Sequence, residues 1–519
     1  MENVSVGIMK KTIPSEKTKK QMKKIFFLSF MITILLSCTE KENPLSSDKE
    51  LLSFSIEKAL NSELTTNITG KIIADEIKLT IHESVNPKNL IATIEHNGKS
   101  VYIGSEEQKS GITANDFTKP LEYRIKAEDG SIKTYAVNIE WVTGEETVIP
   151  HIYIDIHNGE EVTEKEKELD AIIRIDGKDK YDDFIGNTII RGRGNSTWGM
   201  PKKPYRLKLE EKAPLMGLAA YKDWVLLNEY LDGSMLYNAV PFKTGKLLEI
   251  PYTNTIIPVE LTINGKYRGI YAFTEHKEVG KDRIDIDDDG LLLELDVYYD
   301  EDWKFKSKNY QLPVMVQFPK SKNMSEEKLS AIENDFNALE QLVFDNSFPN
   351  NNYLDYFDDL SFVNYMIVYQ LTLNQEINHP KSTYINKPAG GKYRMGIIWD
   401  FDWGYGFEGE GDHYKISSAN SPLFWNGTNP GTLFFSRLMS DPHMQSLFKE
   451  RWDWFKTEKT DELKVYIKLY AEIISVALAD DHQVWGPRNG SEDPDTNLNR
   501  LMNWLEARIQ YIDNYTKNW

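Results

Sequence analysis

Short stretches of alternating hydrophobic and polar residues follow one another from residue 51 onward. They fall at residues 77–81, 90–95, 100–103, 121–127 and 134–141, with polar turns between them. An alternation with a period of two predicts strands that bury one face. Asp129 and Gly130, between the last two stretches, form a strong hairpin signal. The pattern therefore predicts an antiparallel β-sandwich over residues 51–142, followed by a linker over residues 143–150.

The pattern changes after residue 150. Strand-like stretches occur at residues 152–156, 170–175 and 188–191, whereas hydrophobic residues recur at helical spacing after Ser325. A period near 3.6 predicts amphipathic helices, and Ser325 is a suitable N-cap. The apolar stretch from Leu354 to Leu373 predicts a central buried helix. We expect one large domain over residues 151–519, which makes the protein a multidomain α+β chain.

Two carboxylates, Asp400 and Asp402, follow an apolar, strand-like run that ends at Trp399. On an extended backbone, residues two apart face the same side, and paired carboxylates at the edge of a core are suited to hard cations. A strand end with solvated or capping acids would have the same spacing. Upstream, Asn374 and Glu376 lie in a polar loop at the end of the predicted central helix. This second polar cluster favours a functional site.

A glycine-rich segment over residues 191–199 precedes a basic strand, and it contains Arg193 and Asn195. Alternation along the strand places Arg206 and Lys208 on the face opposite the leucines. Backbone N–H groups of such a loop, together with cations of the strand, are suited to binding phosphates. A basic edge strand that deters aggregation has the same composition. The segment alone leaves both interpretations open.

Composition narrows the classes of function. The chain has 519 residues, 40% of them hydrophobic, and a net charge of −19, which is typical of a globular protein without a nucleic-acid partner. Cys38 is the single cysteine, so an intramolecular disulfide framework and a cysteine zinc site are excluded. His379, His413 and His482 do not have the paired spacing of a zinc hydrolase.

The N-terminus has the form of a bacterial lipoprotein signal over residues 1–38. Two lysines precede an apolar run at residues 25–36, and Cys38 follows a small residue, as in a lipobox. The apolar run is too short for a comfortable membrane span. We expect a lipid on Cys38 and a polar tether over residues 39–50, which together predict an outer-membrane lipoprotein facing the periplasm or the cell surface. The sandwich behind the tether resembles the immunoglobulin-like modules of Bacteroidetes surface lipoproteins.

An ordered series of motifs resembles one family over roughly residues 150–515. The motifs are Arg191–Trp198, Lys202–Leu209, Lys222–Asn228, Val259–Leu261, Asn264–Gly265, Gly269–Tyr271, Glu275, Leu292–Asp296 and Trp399–Asp402. The series is similar to the spore coat protein H (CotH) kinase family. The resemblance implies a two-lobed, atypical protein-kinase-like domain that binds ATP with Mg²⁺ or Mn²⁺. It also implies phosphoryl transfer to serine or threonine of an envelope protein.

The resemblance also implies roles for individual residues. Asp400 corresponds to a metal-binding aspartate, and Asp402 to a second ligand or an orienting group. Glu376 and Asn374 fall in the catalytic loop, and Glu376 stands where spore-coat members are expected to carry aspartate. The ATP-binding residues implied are Lys208, in preference to Lys203, with Arg206, Arg193 and Asn195.

A second hypothesis belongs to a different class of function. A lipoprotein outside the inner membrane works where ATP is scarce, and glutamate at Glu376 displaces the carboxylate by about an ångström relative to aspartate. These points favour a catalytically silent, kinase-like scaffold that binds a glycan or a protein partner. Tryptophans such as Trp403, Trp425 and Trp485 would then stack on sugars.

Acidic residues between Asp285 and Asp296 match the spacing of a calcium-binding loop, with Gly290 at the sixth position. However, Asp296 replaces the glutamate expected at the twelfth position, and residues 291–295 predict a strand rather than a helix. We therefore interpret the segment as an acidic hairpin turn in preference to a calcium site.

Overall fold

The structure is a computed structural model that describes residues 45–61, 64, 67–82, 85–142, 148–407, 411–486 and 493–519. Cys38, the predicted signal segment, the start of the tether and most of the predicted linker lie outside these described residues. Within the described part of the chain, no helix has the length and apolar character needed to cross a membrane.

The chain divides into two compact units, with the boundary between Glu140 and Trp141. The first unit contains two sheets, with strand orders β2-β1-β5-β8 and β3-β4-β10-β9-β6-β7. Its strands are β1 (Leu51–Ile56), β2 (Ile68–Thr69), β3 (Lys71–Ile73), β4 (Glu76–His82), β5 (Leu90–His96), β6 (Ser100–Ile103), β7 (Glu106–Gln108), β8 (Ala114–Asn115), β9 (Leu121–Lys126) and β10 (Ile132–Val142).

Alternation along these strands accounts for the core of the first unit. Phe54 of β1, Ile77 of β4 and Ile125 of β9 are all buried in one hydrophobic cluster. Asp129 and Gly130 connect β9 to β10, which pair antiparallel as the hairpin signal predicted. Strands β4, β5, β6, β9 and β10 therefore match the predicted strands closely, whereas β1, β2, β3, β7 and β8 were not predicted.

The second unit begins with a closed barrel of seven strands in the order β11-β12-β13-β14-β15-β17-β16. The strands are β11 (His151–Ile156), β12 (Leu169–Asp176), β13 (Phe184–Gly192), β14 (Tyr205–Leu215), β15 (Leu218–Leu227), β16 (Ile256–Ile263) and β17 (Lys266–Glu275). Neighbours pair antiparallel except β11 and β16, which close the barrel in parallel. Inward residues such as Leu207 and Trp224 are fully buried.

The rest of the second unit combines a five-stranded sheet with helices. The sheet has the order β19-β20-β18-β21-β22. Its strands are β18 (Leu291–Leu295), β19 (Lys304–Lys306), β20 (Pro313–Phe318), β21 (Thr383–Lys387) and β22 (Arg394–Met395). The helices are α1 (Ala239–Leu247), α2 (Glu326–Phe344), α3 (Asp359–Thr372), α4 (Pro430–Met439), α5 (Pro442–Glu458), α6 (Thr460–Trp485) and α7 (Pro494–Thr516).

Two helix starts illustrate how capping sets the boundaries. The Ser325 hydroxyl accepts a hydrogen bond from the N–H of Lys328, so α2 begins where the sequence predicted. The predicted central helix starts later than Leu354, because the Asp358 carboxylate caps α3 by accepting from the N–H of Ser361 at 2.8 Å. Every residue of α3 from Phe362 onward is buried, so α3 is the central helix.

A buried ion pair ties the barrel to α6. The Lys202 ammonium lies 2.7 Å from Asp481 Oδ1, and both side chains have an exposed fraction of 0%. The same carboxylate accepts from the N–H of Ile270 at 2.8 Å, and the ammonium also donates to the carbonyl of Ile270. Gly269 has a φ of +86°, and a Cβ there would lie 2.1 Å from Asp481 Oδ1, so only glycine lets the carboxylate approach.

Candidate functional site

Charged residues line a cavity of about 230 Å³ in the second unit. The lining combines the turn after β13, the ends of β17 and β18, the loop after α3 and the segment after β22. Its carboxylates are Glu294, Asp296, Asp300, Glu301, Glu376, Asp400 and Asp402, and its cations are Arg193, Lys277 and Lys381. This excess of carboxylates gives the cavity a negative charge.

Three of these carboxylates converge. One carboxylate oxygen from each of Glu376, Asp400 and Asp402 lies within 4.8 Å of the other two. Among the described residues, these three form the group that could hold a metal ion. Three carboxylate oxygens at this separation match what a hard divalent cation such as Mg²⁺ or Mn²⁺ accepts. The donor set therefore fits a divalent cation.

The route by which the two aspartates converge differs from the extended strand that the sequence predicted. Strand β22 ends at Met395, and the buried run that follows forms no regular strand. Asp400 has a φ of 64°, a left-handed conformation that aspartate tolerates better than most residues. Asp402 is only 4% exposed. A turn at Asp400, not strand alternation, brings the carboxylates together.

Burial and like charge act together on Asp402. Burial, reinforced by the carboxylates of Asp400 and Glu376, raises the pKa of Asp402 well above its ordinary value. A bound proton or a bound cation relieves this accumulation of negative charge. The electrostatics therefore agree with the geometry in favouring cation binding.

Asn374 holds the loop rather than lining the cavity. Its side-chain N–H donates to the carbonyl of Asp400 at 3.0 Å, and its side-chain oxygen accepts from the N–H of Glu376. Leu373, at the end of α3, has a φ of 47° and turns the chain into this loop. Asn374 thus fixes the positions of Glu376 and Asp400 relative to each other.

Lys381 and Ser382 complete the same loop. The Lys381 ammonium lies 2.6 Å from Glu376 Oε1, and it lies 4.2 Å from the centre of the Trp403 ring. The Ser382 hydroxyl lies 3.2 Å from Asp400 Oδ2. Burial disfavours the ammonium, yet Glu376 and Asp400 hold the pKa of Lys381 above its ordinary value. Neither residue was among the predicted site residues, although both lie just after Glu376.

A second lysine forms an ion pair on the part of the cavity wall that β18 provides. The Lys277 ammonium lies 3.1 Å from Glu294 Oε2, and the Tyr384 hydroxyl donates to Glu294 Oε1. Gln317 on β20 donates to Glu294 Oε2 at 2.7 Å. No motif in the sequence marked Lys277. The alternation of Glu294 and Asp296 along one strand was the available signal for this wall.

Asp296 connects the end of β18 to the loop after α3. Its carboxylate accepts from the N–H groups of Tyr298 and Ser382. Burial raises the pKa of Asp296 to about 6. This residue held the twelfth position of the calcium-loop pattern, but it lines the cavity, whereas Asp287, Asp288 and Asp289 are exposed.

The five residues predicted to bind ATP fall in two places. Arg193 and Asn195 line the cavity, and the Arg193 guanidinium lies 5.7 Å from the centre of the Trp399 ring. Lys208 is exposed on β14, and the Lys203 ammonium donates to the carbonyl of Trp198.

Arg206 pairs with Asp223 at 2.5 Å. The basic strand therefore contributes none of the residues lining this cavity, and a role for Lys203, Arg206 and Lys208 in nucleotide binding stays a prediction.

Comparison with known families decides the identity of the second unit. A family model described as CotH kinase protein matches residues 190–512. The chain belongs to the CotH kinase protein family. All of the residues that line the cavity of this CotH-family protein, from Arg193 to Asp402, fall within the matched segment. A second family model, described as the N-terminal part of SGBP, matches residues 52–139 of the first unit.

Two further comparisons add little to the CotH assignment. No curated protein sequence matches the chain. Among solved structures, a crystal structure from Bacteroides thetaiotaomicron, described as a candidate glycoside hydrolase, is 14% identical over 57% of this chain and 89% of its own, with a TM-score of 0.14. A similarity at this level supports no conclusion about fold or function.

Proposed function

We propose that this CotH-family protein is an atypical kinase, which transfers a phosphoryl group from ATP to a serine or threonine of an envelope protein. The observation that carries the proposal is the convergence of Glu376, Asp400 and Asp402 within 4.8 Å in a cavity that also contains three cations. Phosphoryl transfer needs positioning and charge stabilisation more than covalent chemistry, and carboxylates beside cations supply both.

Asp400 and Asp402 would hold Mg²⁺ or Mn²⁺ in this proposal. A divalent ion at such a site neutralises the charge of the phosphates and orients them. Asn374 keeps the backbone at Asp400 in place through its 3.0 Å hydrogen bond. Glu376 is the candidate acceptor for the proton of the attacking hydroxyl, the role of the catalytic-loop aspartate in protein kinases.

Lys277 is the strongest candidate for a phosphate-binding lysine. Protein kinases use a lysine that contacts phosphates and is ion-paired to a glutamate. Lys277 lines the cavity and pairs with Glu294, whereas Lys208 lies exposed on the barrel. Arg193, at the start of the glycine-containing turn, is a second candidate for contact with phosphates.

The charge balance gives the proposal a specific consequence. Because carboxylates outnumber cations in the cavity lining, a triphosphate binds there only when divalent cations offset the repulsion. Nucleotide affinity should therefore depend steeply on Mg²⁺ or Mn²⁺.

We further propose the architecture and location that go with this activity. The barrel and the helical part would be the two lobes of a kinase-like domain, and the β-rich first unit would be an immunoglobulin-like spacer. A lipid on Cys38 would anchor the protein in the outer membrane, facing the periplasm or the cell surface. The basis for the anchor is the basic, then apolar, segment that ends at the single cysteine.

A catalytically silent scaffold that binds a glycan or protein partner is the second candidate function. The excess of carboxylates in the lining favours it, since acidic side chains are good acceptors for sugar hydroxyls. Trp403, half-buried beside Lys381, would supply a stacking surface for a sugar ring.

Transfer of label from γ-labelled ATP tests the proposed activity. The purified protein is incubated with Mn²⁺ or Mg²⁺ and a generic serine- and threonine-rich acceptor, next to Asp400→Asn and Lys208→Ala variants. We expect transfer by the wild type, at least a hundredfold loss in Asp400→Asn, and near wild-type transfer in Lys208→Ala.

The two variants separate the cavity from the barrel surface. Absence of labelling by the wild type, or equal labelling by Asp400→Asn, would reject the kinase. If the wild type transfers no label but binds a glycan, and Trp403→Ala loses that binding, the second candidate function is supported instead.

A further inference from the structure

The loop after α3 places one cation on the proposed catalytic carboxylate. The Lys381 ammonium lies 2.6 Å from Glu376 Oε1, and the side chains of Lys381 and Glu376 are only 12% and 2% exposed. The backbone N–H of Lys381 also donates to the carbonyl of Glu376 at 3.1 Å, so the contact is local and closes the loop on itself. The ion pair stabilises the charged form of the carboxylate, so Glu376 is a weaker base while the ammonium is paired with it.

The surroundings keep this lysine charged and next to the open space of the cavity. Its ammonium lies over the rings of Trp403 and Tyr298, at 4.2 and 5.4 Å from their centres, and both contacts favour the charged form. Lys381 lines the cavity together with Asp400 and Asp402. The ammonium can therefore reach a ligand in the cavity by rotation of its own flexible side chain.

The backbone on either side of Lys381 is fixed. The N–H of Ser382 donates to Asp296, the Ser382 hydroxyl contacts Asp400, and Ser382 has a φ of 42°. These hydrogen bonds hold the backbone next to Lys381, so a change of partner by the ammonium requires movement of the Lys381 side chain alone.

We propose that Lys381 is a positioning residue with two alternating partners. One partner is Glu376 Oε1, which the ammonium contacts in this structure. When a metal-bound nucleotide occupies the cavity, the ammonium pairs with phosphoryl oxygens, and Glu376 is released to accept the proton of the acceptor hydroxyl. This inference rests on the proposed function, and it adds a coupling between donor binding and the availability of the base.

Elementary electrostatics favours the exchange. A divalent cation at Asp400 and Asp402 repels an ammonium on the neighbouring Glu376, while the phosphates that accompany the metal attract it. Ammonium groups form charge-assisted hydrogen bonds to phosphate as they do to carboxylate, and both are stronger than neutral hydrogen bonds. Both changes act in the same direction, away from Glu376.

Two binding measurements at fixed pH and ionic strength test the exchange. The first is the affinity for Mn²⁺ alone, followed by electron paramagnetic resonance. The second is the affinity for a non-hydrolysable ATP analogue in saturating Mn²⁺, followed by calorimetry. We compare the wild type with Lys381→Met and with Lys381→Arg, which keeps the charge.

The expected effects of Lys381→Met have opposite signs. Affinity for Mn²⁺ should rise about fivefold, because the competing cation is gone. Affinity for the analogue should fall roughly tenfold, because a charged partner of the phosphates is lost. Lys381→Arg should stay within about threefold of the wild type in both measurements.

Lys277→Met is the matched control, since Lys277 lines the same cavity but pairs with Glu294. Lys277→Met should lower the affinity for the analogue without raising the affinity for Mn²⁺. If Lys381→Met and Lys277→Met strengthened Mn²⁺ binding equally, the loss of any positive charge from the cavity would explain the effect. That result would overturn the proposed exchange of partners by Lys381.

The remaining outcomes separate this inference from the proposed function. Unchanged analogue affinity in Lys381→Met, with normal binding by the wild type, overturns the exchange and leaves the kinase standing. Absence of Mn²⁺-dependent analogue binding in the wild type and every variant rejects both. Thermal melting of each variant confirms that folded protein is compared.

Discussion

Two lysine–carboxylate pairs in the second unit have nearly equal lengths and different surroundings. Lys202 and Asp481 are 2.7 Å apart, and both side chains are fully buried between the barrel and α6. Lys381 and Glu376 are 2.6 Å apart on the wall of a cavity. In the first pair, the backbone of Ile270 supplies further hydrogen bonds to both partners. In the second, two further carboxylates lie within 4.8 Å of Glu376.

This comparison separates a structural pair from a functional one. A buried pair whose remaining hydrogen bonds are supplied by backbone has one low-energy arrangement, so it fixes the position of α6 on the barrel. A pair set among like charges has competing partners as soon as a ligand enters. Distance alone does not distinguish the two, whereas the set of neighbouring groups does.

Replacing Lys202 should have the largest effect. Lys202→Met leaves Asp481 as an uncompensated buried charge, which is expected to cost about 3–5 kcal/mol of unfolding free energy. Urea denaturation followed by tryptophan fluorescence measures the change. A loss below about 1 kcal/mol would mean that the pair does not hold the barrel and α6 together.

A change in pH should alter the contribution of Asp296 to stability, which distinguishes the cavity from the buried pair of Lys202 and Asp481. The folded pKa of Asp296, about 6, lies above its ordinary value of 3.8, so the protonated form is favoured in the fold and its contribution to stability declines as pH rises from about 4 to about 6. Relative to Asp296→Asn, the wild type should lose on the order of 2–3 kcal/mol between pH 4 and pH 7.

The test depends on how the difference in unfolding free energy between the wild type and Asp296→Asn changes with pH, not on the size of that difference at one pH. Asparagine has one side-chain acceptor, so it cannot reproduce both hydrogen bonds from Tyr298 and Ser382, and Asp296→Asn has a constant penalty at every pH. Denaturant titrations of both proteins at several pH values measure the difference. A difference independent of pH would show that Asp296 titrates normally.

Lys203, the immediate neighbour of Lys202, should give the smallest effect. Its side chain is half-buried, donates to the carbonyl of Trp198 and lies over the Trp198 ring. Lys203→Met should therefore change the unfolding free energy by no more than about 1 kcal/mol. The same urea titration serves as the control for Lys202→Met, and equal losses in the two variants would refute the contrast between them.

Local patterns predicted much of the fold. Alternation located β14 and five strands of the first unit, β4, β5, β6, β9 and β10, and capping located the start of α2. The closing contact of the barrel was not predictable from such patterns. Strand β11 pairs with β16, whose residues lie more than a hundred positions later in the chain, and no local signal specifies that partner.

The lack of a local signal for distant contacts also explains why Lys208 was selected from the sequence and Lys277 was not. On β14, alternation correctly placed Lys208 opposite the leucines, but in a closed barrel the leucine face is the interior and the opposite face meets solvent. Lys277, one of the two lysines that line the cavity, comes from the chain just after β17 and contacts Glu294 from another sheet. By contrast, Asp400 and Asp402 were selected from the sequence as a carboxylate pair after an apolar run. Glu376 was selected from the upstream polar cluster and the resemblance to the CotH family.

The closure of the barrel bears on how this protein can be divided into fragments. The segment matched by the CotH family model starts at residue 190, near the end of β13. A fragment cut there would lack β11, β12 and most of β13, and it would expose the free edges of β14 and β16. Unpaired edges invite association with other chains, so such a fragment should aggregate. A cut ahead of His151, within the described segment that starts at residue 148, preserves the full ring.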